Sequence, residues 1–527
     1  MRTDTADTIF HNGVLWMGAG GAVGPTALAV SDGRIVAVGD SPEVLALRGR
    51  DTQMVDLAGQ TLLPGFVDAH AHIWKIGHLL TTLLDVRGAS SRDDLAVRLR
   101  DQASRLPPGA WLQGRGYNEA RFPDGRPPTR ADLDQVVADR PVVLMRTCAH
   151  IVVCNSMALE RAGVTGDTAT PPGGEIDRGP DGEPTGVLRE TAIGLVLRHV
   201  PPPSAADHEV MITAAMQHQL SVGITSTNDA GVGPELLETY LRMDAAGRLP
   251  ARINVMALRL VDGVGPVPLP AHRHRSDRLR IDTVKFFADG GLSGATAALS
   301  VPYRHADTRG VLRFDYQEFL ALAREAHQAG WRIATHAIGD VAIDQVLRVY
   351  EALGQGPMRH RIEHFGLPGA EHLAQAARLG VIAVPQTVFV HALGRNFRQY
   401  LPDALLARAY PIRSMLDAGV TVALSSDAPV VEDDSPLRGI QAAMLRHDED
   451  GHEIAIGEAI SLDEALDAYT RGGAIASGDD GGRGCLREGM LADLVVLSGN
   501  LRETPTEAIT SLRVTQTWVG GQLAFGG

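Results

Sequence analysis

The sequence predicts an α/β protein: a (β/α)8 TIM barrel with a small β-sandwich domain formed by both termini and a subdomain inserted after the first barrel strand. Three observations carry this. Through the middle of the chain, short apolar runs rich in β-branched residues alternate with longer Ala/Leu/Arg segments of helical period. That is the pattern of parallel strands buried on both faces with helices between them. Many of the runs start about 30 residues apart, which suits a barrel of ~250 residues divided by eight. Both chain ends instead show short strands around tight turns.

The expected barrel strands are Leu63–Ala69, Val222–Thr227, Arg252–Leu258, Ile281–Phe287, Arg332–His336, Arg359–His364, Val381–Pro385 and Val420–Ser425. The expected helices are Glu318–Ala329, Val341–Leu353, Glu371–Leu379 and Leu405–Ala418. At the ends, Ala27–Ser31 and Arg34–Gly39 flank Asp32-Gly33, and Thr515–Val519 and Gln522–Phe525 flank Gly520-Gly521. Such dipeptides favour two-residue hairpins. Residues 1–63 and 484–527 are therefore expected to share the β-sandwich, with 64–483 forming the barrel domain. The interval after the first strand is too long for one βα unit. It predicts an insertion at about 86–203, leaving from the catalytic mouth, with strands at Trp111–Gly114, Val142–Arg146 and Ile151–Cys154. Thr170–Glu183, rich in Pro, Gly and acidic residues, is expected as a loop or flap.

A length of 527 residues requires more than one domain, and 44% hydrophobic with 21% charged residues is ordinary globular composition. A net charge of −14 leaves no basic excess to neutralise phosphates, which argues against nucleic acid. Three cysteines are too few for a disulfide framework and fit a reduced cytoplasmic setting. Cys148, His150 and Cys154 lie close together, but no fourth ligand with finger-like spacing follows, so buried thiols are expected. Neither a signal peptide nor a membrane-spanning run is expected.

His70 and His72 close the first strand, two residues apart and so on one face, at the strand end where barrel active sites sit. Lys285 lies among apolar residues in the fourth strand, where a charge is costly. The chain has only two lysines, Lys75 and Lys285, among 49 basic residues. An amine can shed its proton and react where a guanidinium cannot. Addition of CO2 would make it a carbamate able to bridge two metals; the plainer alternative is an ion pair with Asp289. His336 and His364 end the next two strands, and Asp427 follows the eighth. This nitrogen and oxygen donor mix suits two Zn2+ ions, with Mn2+, Fe2+ or Co2+ as alternatives. Two such ions could share a bridging hydroxide and polarise a carbonyl.

These motifs resemble the family-3 branch of the amidohydrolase superfamily. The resemblance covers nearly the whole chain, through Gly33–Gly39, Leu63–His72, Val284–Gly290, His336–Asp340, Arg361–His364, Ser425–Pro429 and Gly489–Val495. It implies that His70, His72 and Asp427 hold one metal, that His336 and His364 hold the other, and that Lys285 bridges them as N6-carboxylysine. It also implies Asp427 as base toward the bridging water and then as acid toward the leaving nitrogen. The segments Arg146–His150 and Asn155–Leu159 belong to the insertion in this branch, and Ala149 stands where relatives often carry Gly.

The expected function is metal-dependent hydrolysis of an amide-type C–N bond of a small molecule by attack of a metal-bridging hydroxide. His150, Trp74, Trp111 and Tyr117, with Asn118, are the substrate-binding candidates. An ester, lactone or carbamate bond could be cleaved at the same site. A mononuclear deaminase is disfavoured because the glutamate expected three residues after the fifth-strand histidine is Gly339, with Asp340 one further on. A non-catalytic scaffold is disfavoured because all six ligands are present. The expected partners are a small-molecule substrate and a second copy in a homodimer, without nucleic acid or membrane.

Overall fold

The computed structural model describes residues 5–18, 24–119, 122–146, 151–171, 174–261, 265–292, 295–304, 307–354, 356 and 358–526. It divides into two compact units. One comprises 1–73 with 215–527, and the other Trp74–Ala214. The second unit is wider at both ends than the insertion expected at 86–203.

Eight parallel strands form the central sheet of the larger unit: β1 (Phe66–Ala71), β2 (Ile224–Val232), β3 (Arg252–Leu258), β4 (Leu279–Phe287), β5 (Arg332–Ala337), β6 (Arg361–His364), β7 (Ile382–Val384) and β8 (Thr421–Val422). Neighbours pair in chain order from β1 to β8. Beyond the short β8, backbone bonds continue toward β1. The Ala69 amide donates to Leu424 O (3.3 Å), Asp427 to His70 O (2.8 Å) and His72 to Ala428 O (2.8 Å). These bonds close the barrel and set the chain end that carries Asp427 beside the one that carries the paired histidines.

The helices bury one face each. Tyr316–Gln328 starts where Asp315 accepts from the Glu318 amide (2.9 Å) and buries Phe319, Leu320, Ala323 and Ala326. A side-chain oxygen at that position satisfies one of the orphan amides of the first turn. Asp340–Leu353 and Ala370–Leu379 follow β5 and β6 as expected. The helix expected over Leu405–Ala418 is instead two short ones, Asp403–Leu406 and Ile412–Asp417. Pro411 lies between them; it has no amide to donate and steers Tyr410 out of helical geometry, and Tyr410 has φ +49°. The periodicity missed Val388–Tyr400, a full helix after β7.

Two further sheets use the chain ends. Val14–Leu15 and Thr61–Pro64 join Leu494–Leu497, Val514–Val519 and Gln522–Gly526 in one sheet. Arg34–Gly39, Ala27–Ser31, Ala6–His11 and Arg48–Asp56 form the other. Phe10, Leu28 and Ile35 share one apolar core with Leu62, Leu494 and Trp518, and the Phe10 and Trp518 rings meet edge to face at 5.1 Å.

The unit Trp74–Ala214 has its own six-stranded sheet. Its order is Gly174–Arg178, Pro184–Glu190, Ile151–Cys154, Val142–Arg146, Leu112–Tyr117, Leu84–Asp85. The first two strands pair antiparallel, so the stretch expected to be a loop over Thr170–Glu183 contains an edge strand. No helix among the described residues is long and apolar enough to cross a membrane.

Candidate metal centre

The register of the barrel gathers distant residues at one end. Phe287 lies opposite His336, His336 opposite Glu363, and Ala337 opposite His364. Closure of β8 onto β1 adds His70, His72 and Asp427. His70 Nε2 and His72 Nε2 lie 3.4 and 3.2 Å from the same Asp427 oxygen, Oδ1. The other Asp427 oxygen is 4.0 Å from His364 Nδ1. The His336 and His364 rings are 4.4 Å apart, and those of His70 and His364 5.1 Å. His70, His72 and Asp427 present one donor atom each within 4.8 Å of one another. Asp427 and His364 both adopt left-handed backbone, φ +53° and +69°, a conformation costly for residues with a Cβ and concentrated at functional sites.

Each imidazole has one nitrogen committed to an acceptor. His70 Nδ1 donates to Glu363. His72 Nδ1 donates to Ala230 O (2.9 Å), and His336 Nε2 to Gly290 O (3.0 Å). His364 Nδ1 donates to Gln386 Oε1 (2.6 Å). The Gln386 amide is oriented by its own donations to Val384 O (3.0 Å) and Ser425 Oγ (2.9 Å). A nitrogen that donates carries the proton, so the opposite nitrogen keeps its lone pair. Histidines that ligate metal are oriented by such partners. Four imidazoles with fixed tautomers and one carboxylate are a donor set suited to Zn2+ or a similar divalent ion.

Burial sets the electrostatics. It pushes His70 down to about 4, and Lys285 adds to the effect. Burial, then His336, holds His364 well below the ordinary imidazole range. Burial opposes ionisation of Asp427 and Glu363. Even so, His70 holds Asp427 well below the usual carboxylate range, and Arg361 and His70 do the same for Glu363. These imidazoles are therefore neutral and the carboxylates charged, the states that bind metal. Asp68 runs the other way: burial raises it to about 7, against hydrogen bonds from Ser426 and His70.

Lys285 is completely buried in β4, its ammonium 4.8 Å from the Phe287 ring centre. Its charge bears on His70, Glu363 and His364. The alternative partner, Asp289, accepts from the amides of Ala298 (2.9 Å), Ile338 (3.1 Å) and Gly339 (2.8 Å). It thereby ties the chain after β4 to the chain after β5. Asp340, the nearest counterpart of a deaminase glutamate, is bound by Ser300 Oγ (2.6 Å) and Arg408 (3.2 Å).

The cavity beside these groups measures about 230 Å3 and is lined by His70, His72, His336, His364 and Asp427 together with apolar side chains. The sequence missed Glu363, Gln386 and the carbonyls of Ala230 and Gly290. Glu363 alone left a signal, a carboxylate inside an apolar central strand.

The substrate-binding candidates fall in the other unit. Tyr117 is 1% exposed and belongs to that unit's core with Leu112 and Leu144, a packing position. Trp111 packs partly buried against a second apolar cluster, and the Trp74 ring stacks on His78. Cys148 and His150 lie outside the described residues. Cys154 sits in an apolar cluster where burial raises its thiol to about 12. Asn155 is fully engaged in capping and turn bonds.

Comparison with known proteins gives a consistent result. The sequence profile of the amidohydrolase family matches residues 53–525. The chain is 31% identical to the putative amidohydrolase YtcJ of Bacillus subtilis, over 98% of this chain and 99% of that one. It is 30% identical to N-substituted formamide deformylase of Arthrobacter pascens, over 95% and 94% respectively. Among solved structures, a metal-dependent hydrolase from Pyrococcus horikoshii superposes with a TM-score of 0.77 at 26% identity, covering 93% of this chain and 96% of that one.

Proposed function

The chain belongs to the amidohydrolase family and is a metal-dependent hydrolase, and we propose that it hydrolyses an amide-type carbon–nitrogen bond in a small molecule. The observation that carries this reading is the approach of His70 Nε2 and His72 Nε2 to one oxygen of Asp427, at 3.4 and 3.2 Å, both with lone pairs facing it. His70, His72 and Asp427 would hold one divalent ion and His336 and His364 a second, zinc being favoured by the donors. Lys285, carboxylated, would stand between them. Ions bound there supply a water acidic enough to ionise near neutral pH and polarise a carbonyl.

Asp427 takes a proton from the attacking water and delivers it to the leaving nitrogen as the C–N bond breaks. Carboxylation would turn the Lys285 amine into an oxygen donor. The resemblance to a formamide deformylase supports the choice of an amide bond.

The test combines metal analysis with hydrolysis of a panel of N-acyl, N-formyl and cyclic amides. About two ions per chain and turnover abolished by a chelator are expected. Lys285→Ala should lose metal and activity together, with partial recovery on adding a short carboxylic acid. A metal-loaded chain that leaves every amide intact would remove the reading. Normal turnover by Lys285→Ala without added acid would remove the bridging role.

A further inference from the structure

We infer that Asp68 and Ser426 form a clamp that positions Asp427, and that the site of His70, His72 and Asp427 takes its shape only while this clamp is closed. This rests on the two-metal reading above. Asp68 is 1% exposed, inside a strand, β1, whose six residues are all buried. A carboxylate is tolerated there only where donors meet it. Its Oδ1 accepts from the amides of His70 (3.1 Å) and Ser426 (3.1 Å), and its Oδ2 from Ser426 Oγ (2.5 Å). Ser426 Oγ accepts in turn from the Ala428 amide (3.0 Å). Asn228 Nδ2 donates to Asp68 O (3.2 Å) and braces the strand from β2.

The clamp grips the residue before Asp427 and the residue after it. Between those two, Asp427 stands at φ +53°, a conformation that a residue with a Cβ keeps only when its surroundings hold it. The barrel-closing backbone bonds, from the Asp427 amide to His70 O and from the His72 amide to Ala428 O, bring the two chain ends together. The clamp sets the turn within them. In that turn Asp427 Oδ1 lies 3.4 Å from His70 Nε2 and 3.2 Å from His72 Nε2. A relaxed φ would re-aim the Cα–Cβ bond and carry the carboxylate away from both rings. One oxygen, Asp68 Oδ1, thus sets both a histidine on β1 and the neighbour of the aspartate after β8. His336 and His364 are oriented separately, by Gly290 O and Gln386 Oε1. The loss of Asp68 should therefore fall on one metal site and spare the other.

The experiment titrates the full chain, stripped of metal, with cobalt and follows the two sites by visible absorption. Asp68→Ala should weaken the site of His70, His72 and Asp427 by roughly 10–100-fold and leave the site of His336 and His364 unchanged. Asp68→Asn keeps an acceptor at Oδ1 for both amides and should stay within about fivefold of wild type. Ser426→Ala breaks the Oγ bonds alone and should fall between them. Combined with Asp68→Ala it should cost less than the product of the two separate effects, because the pair acts as a unit. A crystal structure of metal-free Asp68→Ala should show Asp427 out of the left-handed region. If Asp68→Ala does not fold, Ser426→Ala supplies both readings. Asp427 unmoved in the variant overturns the clamp, as does a loss shared equally by the two sites, which marks Asp68 as structural. A wild type that binds no cobalt removes the metal reading, and the conformation of Asp427 in the variant then decides the clamp by itself.

Discussion

His70 is held from behind by Glu363, and Glu363 is held by Arg361. Arg361 is wholly buried and spends all five of its N–H groups. It reaches Glu363 twice (2.7 and 2.9 Å), Asn228 Oδ1 (2.9 Å), Ala476 O (3.1 Å) and Ala69 O (2.5 Å). A buried ion pair of this kind gives little net stability, but breaking one costs about 3–5 kcal/mol. Here the pair also locks the His70 tautomer. Glu363→Gln should therefore lower affinity for the first metal by roughly 10–100-fold, read by titrating the metal-free chain with cobalt and following the visible absorption of the bound ion. The titration is done at a temperature where circular dichroism shows the variant folded. Unchanged affinity and spectrum would reduce Glu363 to a counter-ion of Arg361. The ligand candidates were legible in the sequence because histidines, a lysine and an aspartate at the ends of apolar runs are conspicuous. Gln386 and the carbonyls of Ala230 and Gly290 were not, because an acceptor has no sequence signature until register sets it beside a ring.

At the scale of elements, burial decides what the sequence discloses. Strands buried on both faces announce themselves as apolar runs, and seven of the barrel strands begin within two residues of their expected starts. Helix Val388–Tyr400 escaped because it faces a cavity as well as a core, so its period carries His391, Arg395 and Arg398 between the apolar positions. Gly174–Arg178 escaped because an edge strand pairs on one side only, and its partner Pro184–Glu190 supplies that pairing across a turn at Gly182, φ +81°. In the same unit, Asn155 shows how one side chain can hold two strands and a helix. It accepts from the amides of Val142 and Ala158 (both 2.9 Å) and donates to Val137 O (3.0 Å) and Arg140 O (2.9 Å), with no exposure. Asn155→Ala strips a helix cap and leaves buried backbone groups unsatisfied, for a loss of roughly 2–4 kcal/mol. Hydrogen exchange should speed up at the amides of Val142 and Ala158 first. Protection unchanged at those two amides would show that water replaces the side chain without cost.

For the molecule as a whole, buried neutral imidazole is a liability against acid, alongside the buried paired carboxylates. His360 illustrates it next to the first residue of β6. Its Nδ1 accepts from the Ile333 amide (3.1 Å), so its Nε2 carries the proton and donates to His327 Nδ1 (3.0 Å). Protonating His360 would set two N–H groups against each other at Ile333. Burial, with His327 and Arg332 nearby, lowers its pKa from 6.5 to about 3. A folded value below the unfolded one means that the unfolded chain binds the extra proton first. The stability tied to neutral His360 is therefore complete above pH 6.5 and drains away as pH falls from there toward about 3. The slope from this residue approaches 1.4 kcal/mol per pH unit. In His360→Asn, the side-chain oxygen can accept from Ile333 without titrating. The variant should begin less stable by about 1–2 kcal/mol from lost packing, yet its stability should fall less steeply between pH 6.5 and 4.5. Denaturant unfolding of the metal-free chain across that range supplies both curves, and parallel slopes would mean that the Ile333 bond does not govern where His360 takes up its proton.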